Sequence, residues 1–233
     1  MNRMPSTIAA PTLQKPEGVA RRFPARSKRW RSTRRGYESV KRTLDLLVCL
    51  VVLPAVLPVL ILCALLVRLS GPGPLFFVQE RTGRGGRRFR MVKLRSMVPD
   101  APRMKDEIRA ARNMVGPDFK LEDDPRVTPV GRFMRKSSLD ELPQIWNVLK
   151  GDMSLVGPRP TSFDATTYDL WHTERLEVAP GLTGLWQIAR RGNTDFDDRV
   201  RLDIAYVRRR SLRLDIAILL RTIPAVLSQR GAH

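Results

Sequence analysis

From Leu46 to Val67 the chain reads LLVCLVVLPAVLPVLILCALLV, 22 residues without a charge. As a straight α-helix this run would rise ~33 Å, enough to cross a hydrocarbon core. More than forty residues precede it and no small-residue cleavage site follows, which argues against a signal peptide. Its length and uniform apolarity argue against a buried core helix. Pro54 and Pro58 lie near its middle, where each removes a backbone donor and kinks a helix. The run is therefore read as a re-entrant helix-break-helix over residues 41–70, too short in either arm to cross. Residues 1–40 lack any apolar period and are rich in Pro, Ser and Arg, the pattern of a disordered basic tail.

Beyond Ser70 the patterning changes to short elements. LFFVQ and RFRMVKL alternate as strands around a Gly- and Arg-rich turn at Thr82 to Gly86. Asp100 to Asn113 has a weak helical period, and Val115 to Asp124 reads as a surface loop. Helices are expected over Leu139 to Leu149, Asp164 to Glu177, Asp195 to Arg209 and Leu212 to Leu227, with Pro180 to Gly184 as a turn. Residues 71–233 thus predict a compact, helix-rich α/β (α+β) domain with a small sheet. No internal repeat is present.

Charge then narrows the partners. The formal net charge is +19, from 42 Lys and Arg against 23 acids, and such an excess attracts nucleic acid, anionic lipid or phosphorylated substrates. Arginines and lysines crowd both flanks of the apolar run. The positive-inside tendency therefore wants both flanks in the cytoplasm, which a returning segment satisfies and a single crossing does not. Cys49 and Cys63 would stand ~21 Å apart on one helix, too far for a disulfide. Only two histidines are present, which argues against His-based triads and His-rich metal sites.

Within this basic chain, SSLDELPQ places Asp140 and Glu141 side by side before Pro143. Ser138-x-x-Glu141 is formally a capping box. Pro143 opposes it, because a proline there would remove a donor the helix needs. A helix beginning near Leu142 leaves both carboxylates at its mouth, where an incoming phosphate is also favoured. Paired carboxylates can hold a divalent cation, or divide nucleophilic and supporting roles. Arg126, Arg132, Arg135 and Lys136 before the pair, Arg159 after it, and Lys93 and Arg95 in KLRSM supply the neutralising charge that phosphoryl transfer demands.

The motifs KRTLD, PGPLFFVQERTG, KLRSM, GRFMRKSSLDELPQIWNVLKGDMSLVGPRP and PGLTGLWQ occur in one order between Lys41 and about Leu227. In this the chain resembles the bacterial sugar transferase family, the monotopic polyprenyl-phosphate phosphoglycosyl transferases. The resemblance implies a membrane hairpin in the cytoplasmic leaflet of the bacterial inner membrane, with the catalytic domain facing the cytoplasm. It implies Asp140 as a nucleophile that takes a sugar phosphate from a UDP-sugar, releasing UMP, and passes it to undecaprenyl phosphate. Glu141 would assist, and Mg2+ (or Mn2+) would sit with Asp140 and Glu141. Arg135 and the Pro158-Arg159-Pro160 motif match positions associated with phosphates and nucleotide, and Lys93 and Arg95 match the basic KxR element. Two departures stand out: Leu57-Pro58 replaces a frequent Ser-Pro at the membrane break, and Ala179 replaces a frequent basic residue. Anionic membrane lipids are expected partners of the tail; nucleic acid is not. The oligomeric state stays open, homodimer included. The competing readings are a membrane-tethered nucleic-acid binder, which leaves DELPQ unexplained, and an inactive scaffold, which the intact Asp-Glu pair opposes.

Overall fold

A computed structural model describes residues 28–111, 121, 123–189 and 196–227. Its dominant element is α1 (Lys28–Leu69), which carries Pro54 and Pro58 inside it. A break was expected at this pair, yet the segment is one helix. Each proline costs a backbone bond and bends the helix without ending it. The helix also reaches back to Lys28, into the sequence read as tail; residues 1–27 lie outside the described residues.

One stripe of α1 belongs to the core of the domain. Cys49, with Leu53 and Val56, packs among Met91, Ile145, Val148, Tyr206 and Ile218. Farther along, Cys63 and Val67 join Leu94 and Met134 in a second cluster. These positions recur every three or four residues, so they fall on one helix face. Leu47, Leu50, Val51, Leu57, Ile61 and Leu65 stay exposed on the rest of the helix, as do both prolines.

Polar side chains pin the charged end of the same stripe. Arg42 donates to the carbonyls of Val148 (2.5 Å) and Leu149 (2.8 Å) at the end of helix α4 (Gln144–Lys150), where carbonyls run out of intrahelical donors. Asp45 accepts from the Ser154 hydroxyl at 2.7 Å. Lys41 pairs with Asp215 at 3.2 Å, and Tyr37 donates to the same carboxylate at 2.7 Å. The KRTLD motif is thus a docking clasp between helix and domain.

Strands β1 (Phe76–Thr82) and β2 (Arg88–Leu94) form an antiparallel hairpin, with Phe76 opposite Leu94 and Thr82 opposite Arg88. Its turn places Gly85 at φ 65 and Gly86 at φ 80, a conformation that favours glycine. A second ladder pairs β3 (Ser154–Val156) with β4 (Gly181–Thr183) in parallel. PGLTG was expected to turn; it supplies a strand instead, because Gly157 and Gly181 let two backbones meet. A Cβ on Gly157 would lie 2.5 Å from the Ala179 carbonyl.

Helices α2 (Ala101–Ala111) and α3 (Pro129–Lys136) follow the hairpin. Thr128 caps α3 by accepting from the Gly131 N–H at 2.9 Å. After β4 come α5 (Leu185–Ala189), α6 (Phe196–Arg209) and α7 (Leu212–Leu227). The expected helix over Asp164 to Glu177 is a pair of 3₁₀ segments, Ala165–Thr167 and Leu170–Glu177. Most of the expected loop from Val115 lies outside the described residues.

Candidate active site

Between α3 and α4 the chain reverses through Ser138 at φ 58, the one non-glycine residue with positive φ among the described residues. A left-handed serine costs on the order of 1 kcal/mol, a strain typical of functional sites. It launches a 3₁₀ turn, Leu139–Glu141, and α4 starts only at Gln144 with Pro143 as the residue before it. Ser138 makes no capping bond. The capping box is thus absent, as Pro143 implied, and the helix begins two residues after the expected Leu142, with both carboxylates on a separate turn before it. A proline at φ −61 is compatible with helix entry and loses no needed bond there.

The turn gives the two carboxylates opposite surroundings. Glu141 accepts from Lys93 at 2.8 Å and is gripped at both oxygens by Arg159, Nη1 standing 3.1 Å from one of them. Burial raises the Glu141 carboxyl, but Arg159 and Lys93 overcome it and hold the group below the ordinary carboxylate range. Asp140 makes no direct hydrogen bond or ion pair among the described residues, though only 6% of it is exposed. Burial pushes its carboxyl up, Lys93 opposes, and the neighbouring Glu141 charge reinforces the rise.

Asp140 faces a cleft of about 740 Å³. Nine Lys or Arg residues line it, and Asp140 is the one acid among the described lining residues. Such a cavity is built for an anion with several charges, delivered to a single carboxylate. Its lining also includes Phe76, Phe77 and Pro99, from the chain that follows α1, and Phe163, Trp186 and Phe196 from later segments.

The remaining sequence-derived candidates divide in the same way. Lys93, Arg135, Arg159 and Pro160 line the cleft. Arg135 donates to the Ser96 hydroxyl at 2.9 Å. Pro158 lies behind the cleft, its carbonyl accepting from the Gly181 N–H at 2.8 Å. Arg95 reaches the cleft wall, but its guanidinium is spent on three carbonyls: Pro72, Val67 at 2.9 Å and Gly71 at 2.7 Å. It caps the end of α1, leaving Lys93 as the half of the KxR element that meets the dyad.

Sequence reasoning missed Arg81 and the Arg175–Asp203 pair, and it counted Arg126 as a phosphate-facing charge without its partner Asp124. Arg81, on the cleft wall, is lowered to about 10 by burial and by neighbouring Arg159. Arg126 clamps Asp124 at 2.6 and 2.8 Å, closing the segment before α3. Arg175 and Asp203 form a buried pair at 2.5 Å beneath Arg159. The inward phase of β1 could have flagged Arg81; Arg175 and Asp203 carried no local signal.

A metal site was also expected at the dyad. No group of three or more metal-ligating side chains assembles among the described residues. Asp140 alone offers carboxylate oxygens to the cleft, since both oxygens of Glu141 are occupied. One carboxylate completed by substrate phosphates is a donor set that suits Mg²⁺.

The family model for bacterial sugar transferases matches residues 36–229. The chain belongs to the bacterial sugar transferase family. This sugar transferase is 44% identical over 205 residues to the undecaprenyl-phosphate galactose phosphotransferase of Salmonella typhimurium, covering 86% of the chain and 43% of the relative. It is 52% identical over 162 residues to the galactosyl transferase CpsE of Streptococcus agalactiae, covering 69% of the chain and 36% of that protein. The exopolysaccharide production protein ExoY of Rhizobium meliloti is 40% identical over 202 residues, 83% of the chain and 88% of the relative. The sugar transferase therefore spans less than half of the first two relatives and most of the third. The match includes the stretch of α1 that holds the docking clasp.

Proposed function

We propose that the protein transfers a sugar 1-phosphate from a UDP-sugar to undecaprenyl phosphate. The observation that carries this reading is the cleft: one unpaired carboxylate among nine cations, with Arg95 of its wall bonded to the end of the apolar helix. An Asp140 oxygen attacks the sugar-bearing phosphorus, the bond to the bridging oxygen breaks, and UMP leaves with that oxygen. The phosphate of the polyprenyl acceptor then attacks the same phosphorus and frees Asp140, giving a polyprenyl diphosphate sugar. Lys93, Arg135 and Arg159 neutralise charge on the phosphates, and Glu141 keeps Lys93 and Arg159 in place beside the nucleophile. Mg²⁺, held by Asp140 and the substrate phosphates, would supply further charge neutralisation when bound. Phe76 and Phe77, close in sequence to the apolar helix, suit the isoprenoid, and Phe163, Trp186 and Phe196 suit the nucleoside.

The same reading places the domain on the cytoplasmic face of the bacterial inner membrane. It touches α1 near one end through Arg42 and Asp45 and near the other through Cys63 and Val67. A straight crossing would put those contacts on opposite sides of the hydrocarbon, so the contacts support a helix that enters and returns, or lies within one leaflet. Pro54 and Pro58 are on the outer face, so opening the helix there bends it toward the domain. Anionic lipids would meet the basic flanks.

Purified protein with UDP-sugars, undecaprenyl phosphate and Mg²⁺ should release UMP, and Asp140→Asn should lose both turnover and the phosphosugar adduct. No turnover with any common UDP-sugar, or a fully active Asp140→Asn, refutes the reading. For topology, cysteines introduced near Lys41 and Arg84 should label from the same side of the membrane; opposite sides exclude the returning helix.

A further inference from the structure

Arg175 and Asp203 are among the most buried charges in the protein, 4% and 1% exposed. Arg175 belongs to the 3₁₀ segment Leu170–Glu177 and Asp203 to α6. One Arg175 nitrogen, Nη2, contacts two partners, each at 2.5 Å: the Asp203 carboxylate and the main-chain carbonyl of Arg159. That carbonyl lies between Pro158 and Pro160, whose fixed φ and missing N–H groups leave the loop few bonds with which to hold itself. Directly beyond it, the Arg159 side chain makes its two-pronged contact with Glu141. A buried pair of this kind is seldom retained for stability alone, since desolvation offsets most of its attraction.

We propose that Arg175 and Asp203 are positioning residues: they fix the backbone of Arg159 and, through its grip on Glu141, the charge set around Asp140. This rests on the transfer reading above. The pair makes no bond to Asp140 or Glu141, and although Arg175 reaches the cleft wall, its Nη2 is held by Asp203 and the Arg159 carbonyl. Its effect therefore passes through one arginine, and a loss confined to the chemical step is expected in preference to weaker donor binding. Burial pushes the Asp203 carboxyl up to about 6, with Arg175 opposing, so the pair is charged at neutral pH.

The test replaces both charges together, Arg175→Gln with Asp203→Asn, so that no buried charge is left unpaired. UMP release from UDP-glucose and UDP-galactose should fall about 100-fold in kcat, with KM for the UDP-sugar changed less than threefold and the unfolding temperature nearly unchanged. In an Arg159→Lys background the same double replacement should cost less than threefold more, because its route of action is already cut. Wild-type kcat in the double variant overturns the proposal, as do losses that multiply with Arg159→Lys. If the wild type releases no UMP, the transfer reading fails instead, and hydrogen exchange still decides the positioning role: the double replacement should speed exchange in the segment around Arg159, and unchanged exchange there overturns it.

Discussion

Replacing Glu141 by Gln separates the roles of the two adjacent carboxylates. The change preserves volume and removes one charge, the charge that Lys93 and Arg159 share. Stranding a fully buried partner costs about 3–5 kcal/mol. The side chains of Lys93 and Arg159 are 19% and 28% exposed, so water repays part of this, and about 2–3 kcal/mol of stability should be lost. Catalysis should suffer by a separate route. Both cations are freed to turn onto Asp140, which loses the like charge that kept it raised and becomes a weaker nucleophile. An electrostatic contact of this class is worth about 100-fold to 1,000-fold in kcat. Turnover is followed by UMP release, and the covalent phosphosugar by intact-protein mass after donor alone. Glu141→Gln should still form the adduct, slowly, whereas Asp140→Asn should form none. Adduct on Asp140→Asn with none on Glu141→Gln would reverse the assignment, and wild-type kcat in Glu141→Gln would show that the grip is irrelevant to the chemistry.

Three further outcomes are expected. Ser138→Gly relieves the left-handed strain and should raise stability by about 0.5–1 kcal/mol in denaturant titrations; a loss would show that the serine hydroxyl matters more than its φ. Gly157→Ala drives a Cβ against the Ala179 carbonyl and the Gly181 amide, at 2.5 and 2.8 Å, and should cost at least 1–3 kcal/mol, whereas unchanged unfolding would mean the β3–β4 contact can open freely. Asp203 titrates at about 6 when folded and near ~3.9 when unfolded. Its folded form therefore holds the proton more tightly, and its contribution is greatest below pH ~4 and falls as pH rises to ~6. Relative to Asp203→Asn, the wild type should lose about 2–3 kcal/mol between pH 4 and 7, and a pH-independent difference would contradict that shift.

The elements legible in the sequence were those with a local cause. RFRMVKL alternates and is β2 (Arg88–Leu94), and the stretch from Leu212 to Leu227 is α7, because period and boundary residues agree there. PGLTG misled because its glycines serve close approach between strands more than reversal, a fact set by Gly157 far away in the chain. Asp140 and Glu141 stood out as neighbours of opposite use, yet nothing local says which one faces the cleft. That division is made by Arg159, eighteen residues on, and by a backbone angle at Ser138. Arg175 and Asp203 stayed hidden for the same reason: an isolated arginine in a chain with 42 basic residues carries no signal until folding buries it.

The stripe of α1 that completes both hydrophobic clusters has a consequence for how the molecule is made. The helix is synthesised first, and some of its partners, Tyr206 and Ile218 among them, come last. The apolar segment must therefore reach lipid and wait there while the domain is still incomplete, and the final core closes only onto a helix already in place. Deleting α1 to obtain a soluble enzyme would remove a wall of the core along with the anchor, exposing Met91, Ile145 and Val148. Membrane insertion is then a step in folding, and detergent that strips lipid from the outer face must leave the inner face of the same helix untouched for the enzyme to survive extraction.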